Sequence, residues 1–158
     1  MLTAWRLVKT RYLAHAFDGE GARRYGGRWN SPGVAVVYLA ETLSLAALEV
    51  LVHLQSAQPF TAYSAVPVHF ASGLVHAVRE RDLPSGWQRW PAPPELQAVG
   101  DSWAASGKSA LLAVPSAVVP EERIFLVNPA HRDFRRLRIG EAQPFAFDAR
   151  LKPRHGGG

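Results

Sequence analysis

The chain has 158 residues, 47% of them hydrophobic and 20% charged, with no cysteine and a formal net charge of +5. This is an ordinary globular composition of one-domain length, which excludes a disordered chain, and the lack of cysteine excludes a disulfide framework, a thiolate zinc site and a thiol nucleophile. No apolar run approaches the ~20 residues of a membrane helix, and the opening MLTAWRLVKT lacks a secretory signal's apolar core, so a soluble cytoplasmic protein is expected.

Trp5–Val8 reads as a short strand, and the segment after it to Asp18 carries no clear period. Residues 18–33, DGEGARRYGGRWNSPG, put five glycines and a proline into a loop around Arg23, Arg24 and Arg28. Gly19-Glu20-Gly21 lacks the third glycine and the leading strand of a dinucleotide fingerprint. Val34–Ala40 is apolar on both faces, as a central strand should be. Thr42 is placed to cap a helix over Leu43–Gln55, where Leu43, Ala47, Val50, Leu51 and Leu54 form one apolar stripe. Leu45, Leu48 and Val52 lie off that stripe, so the helix is apolar nearly all round and is expected to be buried. Glu49 sits in its middle, with His53 one turn on.

Thr61–Phe70 is the next expected strand, with Pro67 marking an edge or a bulge. A proline- and tryptophan-rich loop covers 81–94, and Pro94 opens a helix to Ser106 that Gly107 closes. Ala110–Val114, Arg123–Val127, Phe134–Ile139 and Pro144–Phe147 follow as strand candidates. The fold class expected is α+β, a single mixed α/β domain over residues 1–152 with a central, largely antiparallel sheet and a flexible tail at 153–158.

Three polar groups in Gly26–His53 stand out from packing. A buried, ionised Glu49 must be paired, protonated or functional. A structural ion pair with Arg28 is the plain explanation, and a ligand site is the other. The Gly26-Gly27 pair lets backbone approach a ligand, and the arginine fork matches phosphate oxygens. Tyr38, at the end of its strand and just before the Glu49 helix, is either core or the wall of a cleft. Ser116, between two prolines in VPSAVVP, reads alone as a turn residue. The SGKS at 106–109 lacks a phosphate loop's first glycine and leading strand. HExxH and GxSxG motifs are absent, so neither a zinc protease nor a serine hydrolase of that kind is expected.

The run GGRWNSPGVAVVYLAETLSLAALEVLVHL, with VPSAVVPEERIFLVNPAHRDF and FAFDARL, strongly resembles the RES-domain proteins. That family is named for an arginine, a glutamate and a serine, which match Arg28, Glu49 and Ser116 here. The match runs from Trp5 to Leu151, with only 71–108 uninformative. The resemblance implies a toxin of a bacterial toxin–antitoxin pair with an ADP-ribosyltransferase-like fold. It implies attack on NAD+ as substrate, by hydrolysis, phosphorolysis or ADP-ribosyl transfer to a protein, without a metal. It further implies an Xre-type antitoxin that blocks the active site, and it allows a toxin homodimer within a larger complex. On this reading Arg28, Glu49 and Ser116 are catalytic, and Tyr38 and Asn128 join them in binding NAD+.

The alternative from another class is a non-catalytic nucleic-acid-binding domain. Residues 1–30 and 119–158 are net basic, and the arginines at 132, 135, 136 and 138 offer phosphate contacts. The aromatic residues, however, are not interleaved with basic ones in an RNA-binding pattern.

Overall fold

A computed structural model describes residues 1–54 and 61–151. Gln55, at the expected end of the first long helix, and the expected tail at 153–158 lie outside the described residues. The strands are β1 (Leu2–Lys9), β2 (Val37–Ala40), β3 (Tyr63–Phe70), β4 (Val75–Ala77), β5 (Leu111–Pro115), β6 (Arg123–Val127), β7 (Arg138–Ile139) and β8 (Gln143–Phe145). They form one sheet in the order β4-β5-β6-β2-β1-β3-β7, with β8 also paired to β3. Every pairing is antiparallel except β4 with β5. The helices are α1 (Glu20–Tyr25), α2 (Leu43–His53) and α3 (Glu95–Ser106). Among the described residues no helix is long and apolar enough to cross a membrane.

The central strands are apolar on successive residues because both faces of the sheet are covered. Leu112, Val114, Ile124 and Leu126 turn to one face and join a core with Leu45, Leu96, Trp29, Trp87 and Trp103. Their neighbours Leu111, Ala113, Phe125 and Val127 turn to the other and pack with Phe70, Leu74 and Leu137. All three helices lie on the first face.

The expected elements exist, with shifted bounds. The strand expected from Val34 begins at Val37, because Gly33 and Val34 are drawn into the preceding loop. There the Gly33 N–H donates to Arg23 O and the Asn30 side chain donates to Val34 O. The strand expected over Phe134–Ile139 becomes a 3-10 turn, Arg132–Arg136, and the two-residue β7. Pro67 sits where the outer ladder on β3 breaks between β7 and β8. In an antiparallel strand a residue's N–H and C=O point to the same neighbour. The Pro67 carbonyl accepts from Gly140 N on that outer side, so the missing donor falls at the gap.

One burial expectation is corrected. In α2 only Leu45 and Ala46 are buried, whereas Leu48 is 41% exposed and Val52 57%. The helix lays one stripe on β1 and β2, and nothing within the described chain covers the far side. The expected cap does form, with Leu45 N donating to Thr42 Oγ1 at 3.1 Å.

Candidate active site

The site begins at the four-residue turn Gly27–Asn30, closed by Gly27 N donating to Asn30 O at 2.9 Å. Its two central residues part company. Trp29 is 2% exposed and enters the core, and Arg28 stays outside it, half-buried. Burying an indole of that size stabilises by about 1.5–3 kcal/mol or more, so Trp29 acts as the anchor that presents Arg28. Asn30 is fully buried, and its Nδ2 donates to the carbonyls of Ala22, Ser31 and Val34.

Tyr38 completes the turn from below. Its hydroxyl donates to Asn30 Oδ1 at 2.6 Å and accepts from Trp29 N at 3.2 Å. Burial holds the hydroxyl well above its ordinary pKa, so it keeps the proton it donates. A side chain at position 27 would put its Cβ 2.6 Å from that hydroxyl, so glycine is required there. The sequence reading has Tyr38 as a ligand contact, and the structure commits its polar end to the Arg28 turn.

α3 clamps the turn from the other side. Gln97 Nε2 donates to both ends of it, Gly27 O at 3.1 Å and Asn30 O at 3.2 Å. One turn on, Asp101 Oδ1 accepts from Ser31 N at 2.9 Å. Between them Gly100 lies against the Trp29 carbonyl so closely that any Cβ would overlap it. Positions 97, 100 and 101 share one helix face. The stretch 71–108, where the family resemblance is uninformative, thus supplies the support of Arg28.

It also supplies Arg28's partners. Arg28 Nη1 donates to Trp87 O at 2.9 Å and to Arg89 O at 3.1 Å. These are neutral acceptors, and the remaining guanidinium donors have no protein partner among the described residues. Burial lowers the Arg28 pKa, and the nearby Glu49 charge opposes that shift. Arg28 remains a cation, since an arginine starts so far above neutrality.

Glu49, half-buried on α2, is not in an ion pair with Arg28. Its partner is Ser116, whose Oγ donates to Glu49 Oε1 at 2.8 Å. Ser116 is fully buried just past β5, and the same Oγ accepts from Val118 N and Val119 N, each at 3.1 Å. With both lone pairs taken, its single proton is directed at Glu49. The hydroxyl therefore fixes one carboxylate oxygen and leaves Oε2 without a partner among the described residues. Thr42, Glu122 and the turn after Ser116 tie this end of the sheet together through Thr42 Oγ1 donating to Glu122 Oε1 at 2.7 Å.

Arg28, Tyr38, Glu49 and Ser116 thus gather on the helical face of the sheet. Asn128 does not join them. It follows β6 and donates its backbone N–H to Ala110 O, at the opposite end of the β5–β6 pair from Ser116. The five residues of β5 separate the two ends, about 20 Å from position 110 to position 116. Asn128 Oδ1 accepts from Ala130 N at 3.0 Å, which shapes a turn beside an open hollow lined by Gly107, Lys108, His131 and Arg132. Among the described residues no group of three or more His, Cys, Asp or Glu side chains could hold a metal.

Comparison with known proteins gives a consistent picture. A family model described as the RES domain matches residues 3–148. A protein of Yersinia enterocolitica named "Toxin Res" is 40% identical over 150 residues, 94% of this chain and 98% of its own. A Sphingobium protein named "Prs ADP-ribosylating toxin" is 39% identical, over 93% of this chain and 94% of its own. Among solved structures, a chain of the M. tuberculosis MbcT–MbcA toxin–antitoxin complex superposes with a TM-score of 0.72. That alignment covers 92% of this chain and 84% of the other at 22% identity, and so supports the fold.

Proposed function

The chain belongs to the RES-domain family, and from that premise we propose that it is the toxin of a toxin–antitoxin pair and consumes NAD+ by cleaving its nicotinamide–ribose bond. The observation that carries this reading is the Ser116 hydroxyl donating to Glu49 at 2.8 Å beside an arginine that no carboxylate among the described residues neutralises by direct contact.

Breaking that bond sends its electron pair to the pyridinium nitrogen, so nicotinamide leaves as a neutral molecule and needs no strong acid. Positive charge is left on the ribose, and a fixed carboxylate at that place stabilises the transition state more than the ground state. Glu49 takes this role and also accepts from the ribose hydroxyls. Ser116 keeps the carboxylate oriented. Arg28 turns its free guanidinium donors to the pyrophosphate or the ribose. Tyr38 holds the Arg28 turn by its hydroxyl and offers its ring to nicotinamide. Asn128 serves the turn after β6, away from the substrate.

An acceptor then bonds to the ribose carbon and loses a proton. Water gives ADP-ribose and phosphate gives a phosphorylated ADP-ribose. A protein side chain is the second acceptor reading, favoured by the Sphingobium relative named as an ADP-ribosylating toxin. The toxin role calls for an antitoxin over the site in the cytoplasm, expected to be of the Xre type. Leu48 and Val52, exposed on the α2 turns that flank Glu49, suit such a cover. Induction of the chain alone in a bacterial host is expected to stop growth, while the Arg28→Ala variant leaves growth unaffected. Equal growth arrest by both would contradict the role given to Arg28.

A further inference from the structure

Two tryptophans three residues apart in the 81–94 loop have opposite fates. Trp87 is 6% exposed, lies in the core and meets the Trp29 ring at 6.4 Å. Trp90 is 73% exposed, although burial of an indole is worth several kcal/mol. An exposed tryptophan on an unanchored loop would carry little meaning. This one is held on both sides by groups of the site.

On one side the backbone is tied to Arg28, whose Nη1 donates to Trp87 O and to Arg89 O, the carbonyl next to Trp90. On the other side the Trp90 ring meets the His53 ring, centroids 5.5 Å apart and tilted by 59°. His53 is the last residue of α2 and stands four residues beyond Glu49, about 6 Å along the helix axis. A closed circuit results: Arg28 to the 87–90 loop, Trp90 to His53, one helical turn to Glu49, and the Glu49 charge back to Arg28. The indole stands as a slab on the rim of the Arg28–Glu49 site, with one side toward an imidazole and most of its area toward solvent.

We propose that Trp90, backed by His53, is a stacking subsite for one of the two planar rings of the dinucleotide. A flat, electron-rich face beside an arginine suits a heteroaromatic ring attached to a phosphorylated ribose. Stacking of this kind is worth about a 5- to 150-fold change in affinity on alanine substitution. This inference rests on the NAD+ reading given above. It adds a binding residue in the stretch where the family motifs are silent.

The test combines tryptophan fluorescence with steady-state kinetics on the full chain and its Trp90→Ala and Trp90→Phe variants. NAD+ is expected to quench the wild-type emission and to quench Trp90→Ala much less. Trp90→Ala should raise the KM for NAD+ about 5- to 150-fold while kcat moves less. Trp90→Phe, which keeps an aromatic face, should restore most of the affinity. Quenching by AMP would assign the subsite to adenine, and quenching by nicotinamide mononucleotide to nicotinamide. If the wild type turns over NAD+ and Trp90→Ala does so with the same KM, the subsite is refuted and the NAD+ reading stands. In that event Trp90 would belong to a partner-docking surface. If the wild type neither binds nor consumes NAD+, both fall together.

Discussion

Replacing Glu49 with glutamine removes a charge and little else. Ser116 Oγ donates to Glu49 Oε1 at 2.8 Å, and a glutamine oxygen offers the same acceptor at the same place. The side chain is half-buried, and none of the ion pairs among the described residues includes it. Stability should therefore change by no more than about 0.5 kcal/mol, or about 1–2 °C in Tm for a chain of this size. The chemical loss should be far larger. A carboxylate about 4 Å from a cationic ribose, at an effective dielectric near 20, is worth about 4 kcal/mol. The amide dipole keeps part of that, which leaves an expected fall in kcat of about 10²- to 10³-fold. Parallel measurements of nicotinamide release and of thermal unfolding separate the two effects. A Glu49→Gln variant with an unchanged Tm and more than about a third of the wild-type kcat would refute the use of this charge.

Ser116→Ala should act on both fold and rate. Val118 and Val119 lose their common acceptor and Glu49 its donor, so about 1–2 kcal/mol of stability and about 3–6 °C of Tm should go, with kcat down about 10- to 100-fold. A wild-type melt would contradict the bonding described for this hydroxyl. Tyr38→Phe leaves the buried Asn30 Oδ1 without its donor and should cost about 1–3 kcal/mol. Because the loss loosens the Arg28 turn, KM for NAD+ should rise more than kcat falls, and an unaltered KM would place the hydroxyl outside the site's support. Gly100→Ala drives a Cβ into the Trp29 carbonyl, where backbone meets backbone, and should destabilise by about 3 kcal/mol in a chemical denaturation curve. A neutral result there would contradict the close seating of α3 on the turn.

The residues that meet at the site were more legible in the sequence than the parts that hold them. Arg28, Tyr38 and Glu49 stand out because each is a polar group where packing alone asks for none, whereas Ser116 reads alone as a turn residue and is singled out only by the family motif around it. Thr42 and β6 were legible for local reasons: a hydroxyl before an apolar run, and five residues that end at an Asn-Pro turn. Gln97, Gly100 and Asp101 were not. Gln97 and Asp101 are ordinary residues for a solvent-facing helix, and Gly100 is a helix-weakening residue whose reason the sequence does not show. The meaning of all three lies in contacts with a turn about 70 residues earlier in the chain. α1 was hidden in the glycine loop, since six residues give no period. It is held instead by Asp18 Oδ1 accepting from Glu20 N and by the Glu20–Arg23 pair. The far side of α2 was misjudged for a different reason. An apolar face tells of a need for cover, and over Leu48 and Val52 the described residues do not supply it.

The most direct test is to incubate the purified, partner-free chain with NAD+ and follow nicotinamide release by mass spectrometry, in buffer, with inorganic phosphate and with cell extract. Nicotinamide should appear in at least one condition, accompanied by ADP-ribose, a phosphorylated ADP-ribose or an ADP-ribosylated protein, and the Arg28→Ala variant should release none. No release in any condition from a folded sample, together with steeply salt-dependent binding of DNA or RNA, would contradict the NAD+ site and move the chain to a nucleic-acid-binding role.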